Sequence, residues 1–254
     1  MLFYHALTFF IPLATAIFFA FLFWREKLTY PSIILSNLLV FFGTWLLVNK
    51  KIQSQKQILF YSSFSLLICL SGFVLLLFIE NFWLKIGLVI LVIILLYYYI
   101  NELFIQYFKK PLLNLKRLWL FFRLAQVFII FLSASSLFGL RDFLSTPLVF
   151  LIIVFFFLAI ILNGYNNWQN WDIQIKRLFY RALMALLIAE LFWGVSLLPF
   201  VYYLKGIIVA IFYALLNELI IWHFERKPSV KLMKVFLIFA FLLIILIMVT
   251  AQWS

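Results

Sequence analysis

The chain reads as long apolar runs separated by short polar breaks. Nine runs, near 6–24, 32–48, 58–79, 82–100, 118–140, 143–162, 182–204, 206–222 and 233–250, each have about the length an α-helix needs to cross a hydrocarbon core. They are continuously apolar, without the alternation of a membrane β-barrel. Very short breaks at Glu80-Asn81, Arg141-Asp142 and Lys205 predict tight antiparallel hairpins between helices 3 and 4, 5 and 6, and 7 and 8. Pro12, Pro147 and Pro199 fall inside predicted spans, where a missing N–H bends a helix. The pattern predicts an all-α polytopic membrane helical bundle, a single integral membrane domain over residues 1–254.

Composition agrees. Hydrophobic residues make up 68% of the chain and charged residues 11%, against about a quarter charged in soluble domains. Mean hydropathy is +1.20. Met1 to Trp24 lacks a basic leader and exceeds a signal-peptide core, so it is read as a retained helix. Cys69 is the single cysteine and lies within an apolar run, which leaves no internal disulfide, redox motif or cysteine cluster.

The net charge of +12 is a matter of topology here and not of nucleic acid, for which no partner role is expected. Fifteen Lys and Arg residues fall in the even-numbered links and five in the odd ones. The positive-inside rule then puts the N-terminus inside and the C-terminus outside, in what reads as a prokaryotic inner membrane. Arg25 and Lys27, just after the first helix, run against that sum.

A motif is written twice. Ile100 to Pro111, INELFIQYFKKP, and Leu216 to Pro228, LNELIIWHFERKP, share Asn-Glu-Leu, apolar and aromatic residues, a basic pair and a proline. Val40-Phe41-Phe42 with Asn49 matches Val154-Phe155-Phe156 with Asn163, and Leu59-Phe60-Tyr61 matches Leu178-Phe179-Tyr180. In register order these predict two parallel four-helix repeats, about 6–111 and 118–228, followed by a ninth helix near 233–250. Between the second pair of matches, Trp168, Trp171, Ile175 and Leu178 form the stripe of a helix lying on a membrane surface. The link from Phe104 to Leu118 reads as a second interfacial segment.

Polar residues inside apolar runs are the candidates for function. Glu190, in helix 7, is the most costly, at about 2.5–3.5 kcal/mol on insertion scales, and is expected to face the bundle interior, where it can be protonated or paired. Glu102 and Glu218 each stand beside an Asn, Asn101 or Asn217, near the cytoplasmic end of a helix. One reading makes these five residues the lining of a cytoplasm-facing cavity; the other makes them ties between helices. No Ser/His/Asp or Cys/His arrangement, glycine-rich nucleotide loop or metal-ligand spacing is legible, so no catalytic residue, metal or cofactor is predicted.

The layout, with nine helices, an inside N-terminus, two related halves and polar links after helices 2 and 6, resembles the UbiA-type intramembrane prenyltransferases. That resemblance implies Asp-rich motifs after helices 2 and 6 that hold Mg²⁺ against a prenyl diphosphate. Here Asn49 stands where the first motif would begin, but Lys50, Gln53 and Gln57 occupy its acidic positions. Asn163 would begin the second, with Gly164 and Asn167 following and Asp172 the carboxylate nearby. Two Mg²⁺ ions facing a diphosphate ordinarily need several carboxylates, whereas Lys50, Lys51 and Lys56 would meet a phosphate directly as point charges. The expectation is a degenerate, prenyltransferase-like protein that binds an isoprenoid, another membrane lipid or a small hydrophobic ligand without turnover. Candidate binding residues are Asn49, Lys50, Lys51, Glu102, Asn163, Asn167, Asp172, Glu190, Asn217 and Glu218. A secondary transporter using Glu190, and a structural subunit of a membrane complex, are the alternatives.

Overall fold

The computed structural model describes residues 2–24, 29–49, 55–109, 115–165 and 174–225, and positions 238 and 245 singly. Its helices are α1 (Leu2–Trp24), α2 (Thr29–Asn49), α3 (Gln55–Leu76), α4 (Phe82–Phe104), α5 (Leu115–Leu144), α6 (Leu148–Tyr165), α7 (Gln174–Ser196) and α8 (Tyr202–Glu225). A π-helical turn, Ile105–Lys109, continues α4. There is no strand among the described residues. Six segments among them are long and apolar enough to cross a membrane: Phe3–Phe21, Tyr30–Asn49, Gln57–Leu76, Phe82–Phe108, Leu120–Leu144 and Tyr202–Leu219. Leu148–Asn163 is a shorter apolar stretch. These are the lengths and compositions of a helical integral membrane protein. The predicted ninth helix lies outside the described residues, except that positions 238 and 245 are helical.

The chain divides into two compact units, Met1–Ala125 and Gln126–Ser254, with the division inside α5. In the first unit α1 to α4 pack as antiparallel neighbours. The start of α1 meets the end of α4, where the His5 and Phe104 rings lie 5.3 Å apart. Phe19 of α1 stacks on Phe73 of α3 at 3.8 Å and 11°. Thr44 of α2 and Ser65 of α3 share a buried 3.0 Å hydrogen bond, and the Tyr99 hydroxyl of α4 donates to the Tyr61 carbonyl of α3 at 2.8 Å. The inward faces collect small and hydroxylated residues. Ser36, Ser62 and Ser71 donate to a carbonyl three or four residues earlier, and Thr44 and Ser65 have such a carbonyl in reach as well as each other, so their burial leaves no donor unmet. Large apolar residues such as Phe10, Leu13, Ile34 and Leu38 point outward. Hydrocarbon is as apolar as leucine, so close packing of small residues, and not apolarity, decides which face turns inward.

In the second unit the ring of Phe192 on α7 is held between Phe138 of α5, stacked at 4.2 Å and 11°, and Phe155 of α6 at 4.6 Å and 26°. The Gln126 amide on α5 donates to the Leu162 carbonyl of α6 at 3.1 Å, which sets those helices antiparallel around their link. Gly206 lets α8 lie against α5. A Cβ there would collide with the Ser135 hydroxyl and stand 2.9 Å from the Ser135 backbone nitrogen.

The helix ends depart from the predicted ones for physical reasons. Arg141 and Asp142, expected in a link, belong to α5, and the turn falls at 145–147, where Ser145 has φ 50° and Pro147 precedes α6. The next link falls at 197–201 around Pro199, and Lys205, expected as the break, sits buried in the first turn of α8. Pro147 and Pro199 therefore separate helices instead of bending them, because a proline disfavours helical backbone in the residue before it. Pro12 alone of the three lies inside a helix. Lys205 tolerates burial with its ammonium 3.9 Å from the Asp142 carboxylate and 5.8 Å from the centre of the Phe138 ring. The predicted interfacial helix is also revised, since α7 runs unbroken from Gln174 and takes in Ile175 and Leu178; Trp168 and Trp171 lie outside the described residues. Likewise α4 and its π turn carry helix to Lys109, into the segment read as interfacial.

Candidate functional site

Glu190 does not face the interior. The packed face of α7 is Ala185, Ile188, Ala189 and Phe192, all buried. At 100° per residue Glu190 falls nearly opposite their centre, among exposed Leu183, Leu186 and Leu187. With Phe192 clamped between two other rings, the carboxyl is turned outward. It opens into a groove of about 570 Å³ between α6 and α7, whose other lining residues are Ile152, Ile153, Phe156, Leu186, Ala189 and Trp193. The groove is shallow and wide open to the outside of the unit, not an enclosed cavity. Among the described residues, Glu190 is the one ionisable residue in this lining. Within the described structure it has no hydrogen-bond or ion-pair partner.

A second polar centre is internal to the same unit. Gln126 of α5, Asn163 of α6, and Tyr213 and Asn217 of α8 are all buried. The Tyr213 hydroxyl donates to Asn163 Oδ1 at 3.1 Å, and the Gln126 amide to the carbonyl of Leu162, next to Asn163. One acceptor and one donor are left over, Gln126 Oε1 and Asn163 Nδ2, both without a partner. Buried groups of this kind ordinarily meet water or a ligand. Asn163 and Asn217 were marked in the sequence; Gln126 and Tyr213 were not, although a glutamine inside an apolar run is itself a signal.

The two Asn-Glu-Leu copies sit differently in their helices. In α4 it is Glu102 that is buried and Asn101 half-buried; in α8 Asn217 is buried and Glu218 half-buried. The same three letters are thus rotated by one residue, about 100° of helix. In the first unit the neighbours are Gln106, buried with Oε1 unpartnered, and the Tyr61 and Tyr107 rings 5.9 Å apart.

The expected five-residue cavity is not assembled within the second unit. Glu190 is six residues before the end of α7 and Asn217 fifteen after the start of α8. At 1.5 Å per residue these two levels differ by roughly 13 Å along the hairpin. Asn101 and Glu102 belong to the other unit. Asn49 is exposed at the last residue of α2, while Lys50, Lys51, Asn167 and Asp172 lie outside the described residues. No three His, Cys, Asp or Glu side chains come together among the described residues. The described residues at the positions implied for Mg²⁺, Asn49, Gln57 and Asn163, are amides and do not fit that ion well.

Fold and groove together define a helical integral membrane protein with an exposed, apolar recess on its second unit. Comparison with known proteins adds no relative: no family model, no curated protein and no solved structure matches the chain significantly.

Proposed function

We propose that this protein binds a lipid or isoprenoid chain taken up sideways from the bilayer into the groove between α6 and α7, without transforming it. The observation that carries this reading is the groove itself: apolar walls, an open outer side, and one carboxyl without a partner among the described residues. A bare carboxyl facing acyl chains is unfavourable by about 2.5–3.5 kcal/mol, and a ligand that gives it a hydrogen bond offsets that cost. A transport role would place Glu190 on a path for water, which apolar walls do not favour.

The architecture proposed with it is nine membrane helices with the N-terminus inside, arranged as two parallel four-helix copies and a ninth helix. The Phe19–Phe73 and Phe138–Phe192 stacks, which recur at the spacing of the Leu-Phe-Tyr repeat, support the duplication. The layout resemblance to UbiA-type prenyltransferases stays a proposal about ancestry, with the diphosphate chemistry lost.

The test is photolabelling of the purified full chain with a diazirine-bearing prenyl probe. Label should concentrate on peptides of α6 and α7 and fall several-fold in Leu186→Trp, which fills the groove. Label spread evenly over all apolar faces overturns the lipid reading, and release of pyrophosphate from a prenyl diphosphate with Mg²⁺ overturns the absence of turnover.

A further inference from the structure

The groove has a chemical bias as well as a shape. Among the described residues its lining holds Glu190 and Trp193, whose indole is a donor only, and no Lys, Arg or His. One turn beyond Glu190, on the same face, Gly194 is exposed, and a Cβ built there would meet nothing within 4 Å. A glycine inside an exposed helix weakens that helix, and here it leaves bare surface on the face of α7 that carries Glu190.

Building on the lipid-binding reading, we propose that this groove selects an uncharged long-chain alcohol over the phosphorylated form of the same chain. The hydroxyl donates to Glu190. A carboxyl oxygen accepts from an O–H whether or not the group carries a proton, and the indole N–H offers the alcohol oxygen a donor in return. A phosphate brings negative charge and several acceptors to a lining that, among the described residues, has no counter-cation, so it is disfavoured. An ammonium complements a carboxylate in charge but is strongly hydrated. Glu190 lies six residues, roughly 9 Å, inside the end of α7, and a cationic head would shed that water to reach it. The neutral hydroxyl carries the smallest such penalty.

The experiment measures binding of geranylgeraniol, its methyl ether, its monophosphate and geranylgeranylamine to the detergent-purified full chain, through the concentration dependence of thermal stabilisation. The alcohol is expected to bind at least about tenfold more tightly than the ether and the phosphate, the factor corresponding to one well-made hydrogen bond. Glu190→Leu should bring alcohol and ether to parity. Glu190→Gln, whose amide oxygen still accepts, should keep most of the preference, which separates loss of the hydrogen bond from loss of the fold. Equal binding of alcohol and ether by the unaltered protein overturns the selection and leaves lipid binding standing. Tighter binding of phosphate or amine also overturns it, in favour of an unseen cation or of ion pairing. Failure of all four probes to bind, together with uniform photolabelling, overturns both proposals.

Discussion

Phe19 and Phe73 lie face to face at 3.8 Å and 11°, and 119 positions further along each chain number, Phe138 and Phe192 do the same at 4.2 Å and 11°. Leu59-Phe60-Tyr61 and Leu178-Phe179-Tyr180 are separated by the same 119 positions. A shared offset in sequence and in ring geometry is what two copies of one four-helix unit would leave behind.

If the copies are equivalent, truncating either stack should have similar effects. Phe73→Ala and Phe192→Ala should each cost about 1–3 kcal/mol, less than the roughly 3–5 of a water-soluble core, because unfolded helices in lipid keep the ring out of water. In a double-mutant cycle Phe19 with Phe73, and Phe138 with Phe192, should each couple by about 0.5–1.5 kcal/mol. Unfolding in mixed detergent micelles measures both. A cost in one unit and none in the other would speak against equivalence.

Two glycines give opposite expectations. Gly206→Ala forces a Cβ against Ser135 and should destabilise by about 1–3 kcal/mol, with only partial rescue by Ser135→Ala since the backbone nitrogen remains 2.9 Å away. Gly194→Ala meets open space and should stabilise by up to about 1 kcal/mol. Melting temperatures of the three variants in one detergent decide this.

The buried amides make an asymmetric prediction. Tyr213→Phe removes the donor to Asn163 Oδ1 and should cost about 1–2 kcal/mol, leaving both ends of that amide unpartnered. Gln126→Leu should be within about 1 kcal/mol of neutral, because the bond it loses is offset by removal of the unpartnered Oε1. Equal losses in both variants would indicate that Gln126 Oε1 is held by a bound water or ligand.

Topology can be read with thiol chemistry. With Cys69 replaced by serine, single cysteines at Ser145 and at Pro199, in the links before α6 and before α8, should react with a membrane-impermeant maleimide in intact cells. Reaction only after lysis would reverse the proposed orientation.

The apolar runs announced the helices because crossing hydrocarbon demands about twenty residues with their backbone groups satisfied internally. Eight of the nine predicted runs correspond to α1 through α8. Hydropathy misplaced the ends where a link is itself apolar, as at Leu197 to Val201, or where a helix carries charge, as at Arg141 and Lys205. Those charges are held by partners distant in sequence, the Ser196 carbonyl at 3.2 Å from Arg141 and the Asp142 carboxylate near Lys205. The candidate site was legible as a list of costly residues, and Glu190 led it.

What no linear reading supplied was direction. In water a helix shows its buried face by its apolar stripe; in lipid both faces are apolar, so the packed side is recognised only once its neighbours are in place. Phe192 between Phe138 and Phe155 turns α7, and that turn puts Glu190 on the exposed side of the helix. The one-residue rotation between the two Asn-Glu-Leu copies, and the meeting of Asn163 with Tyr213, have the same origin. Chain composition dictated that these helices enter a membrane, and three-dimensional packing chose which of their polar groups meet lipid and which meet one another.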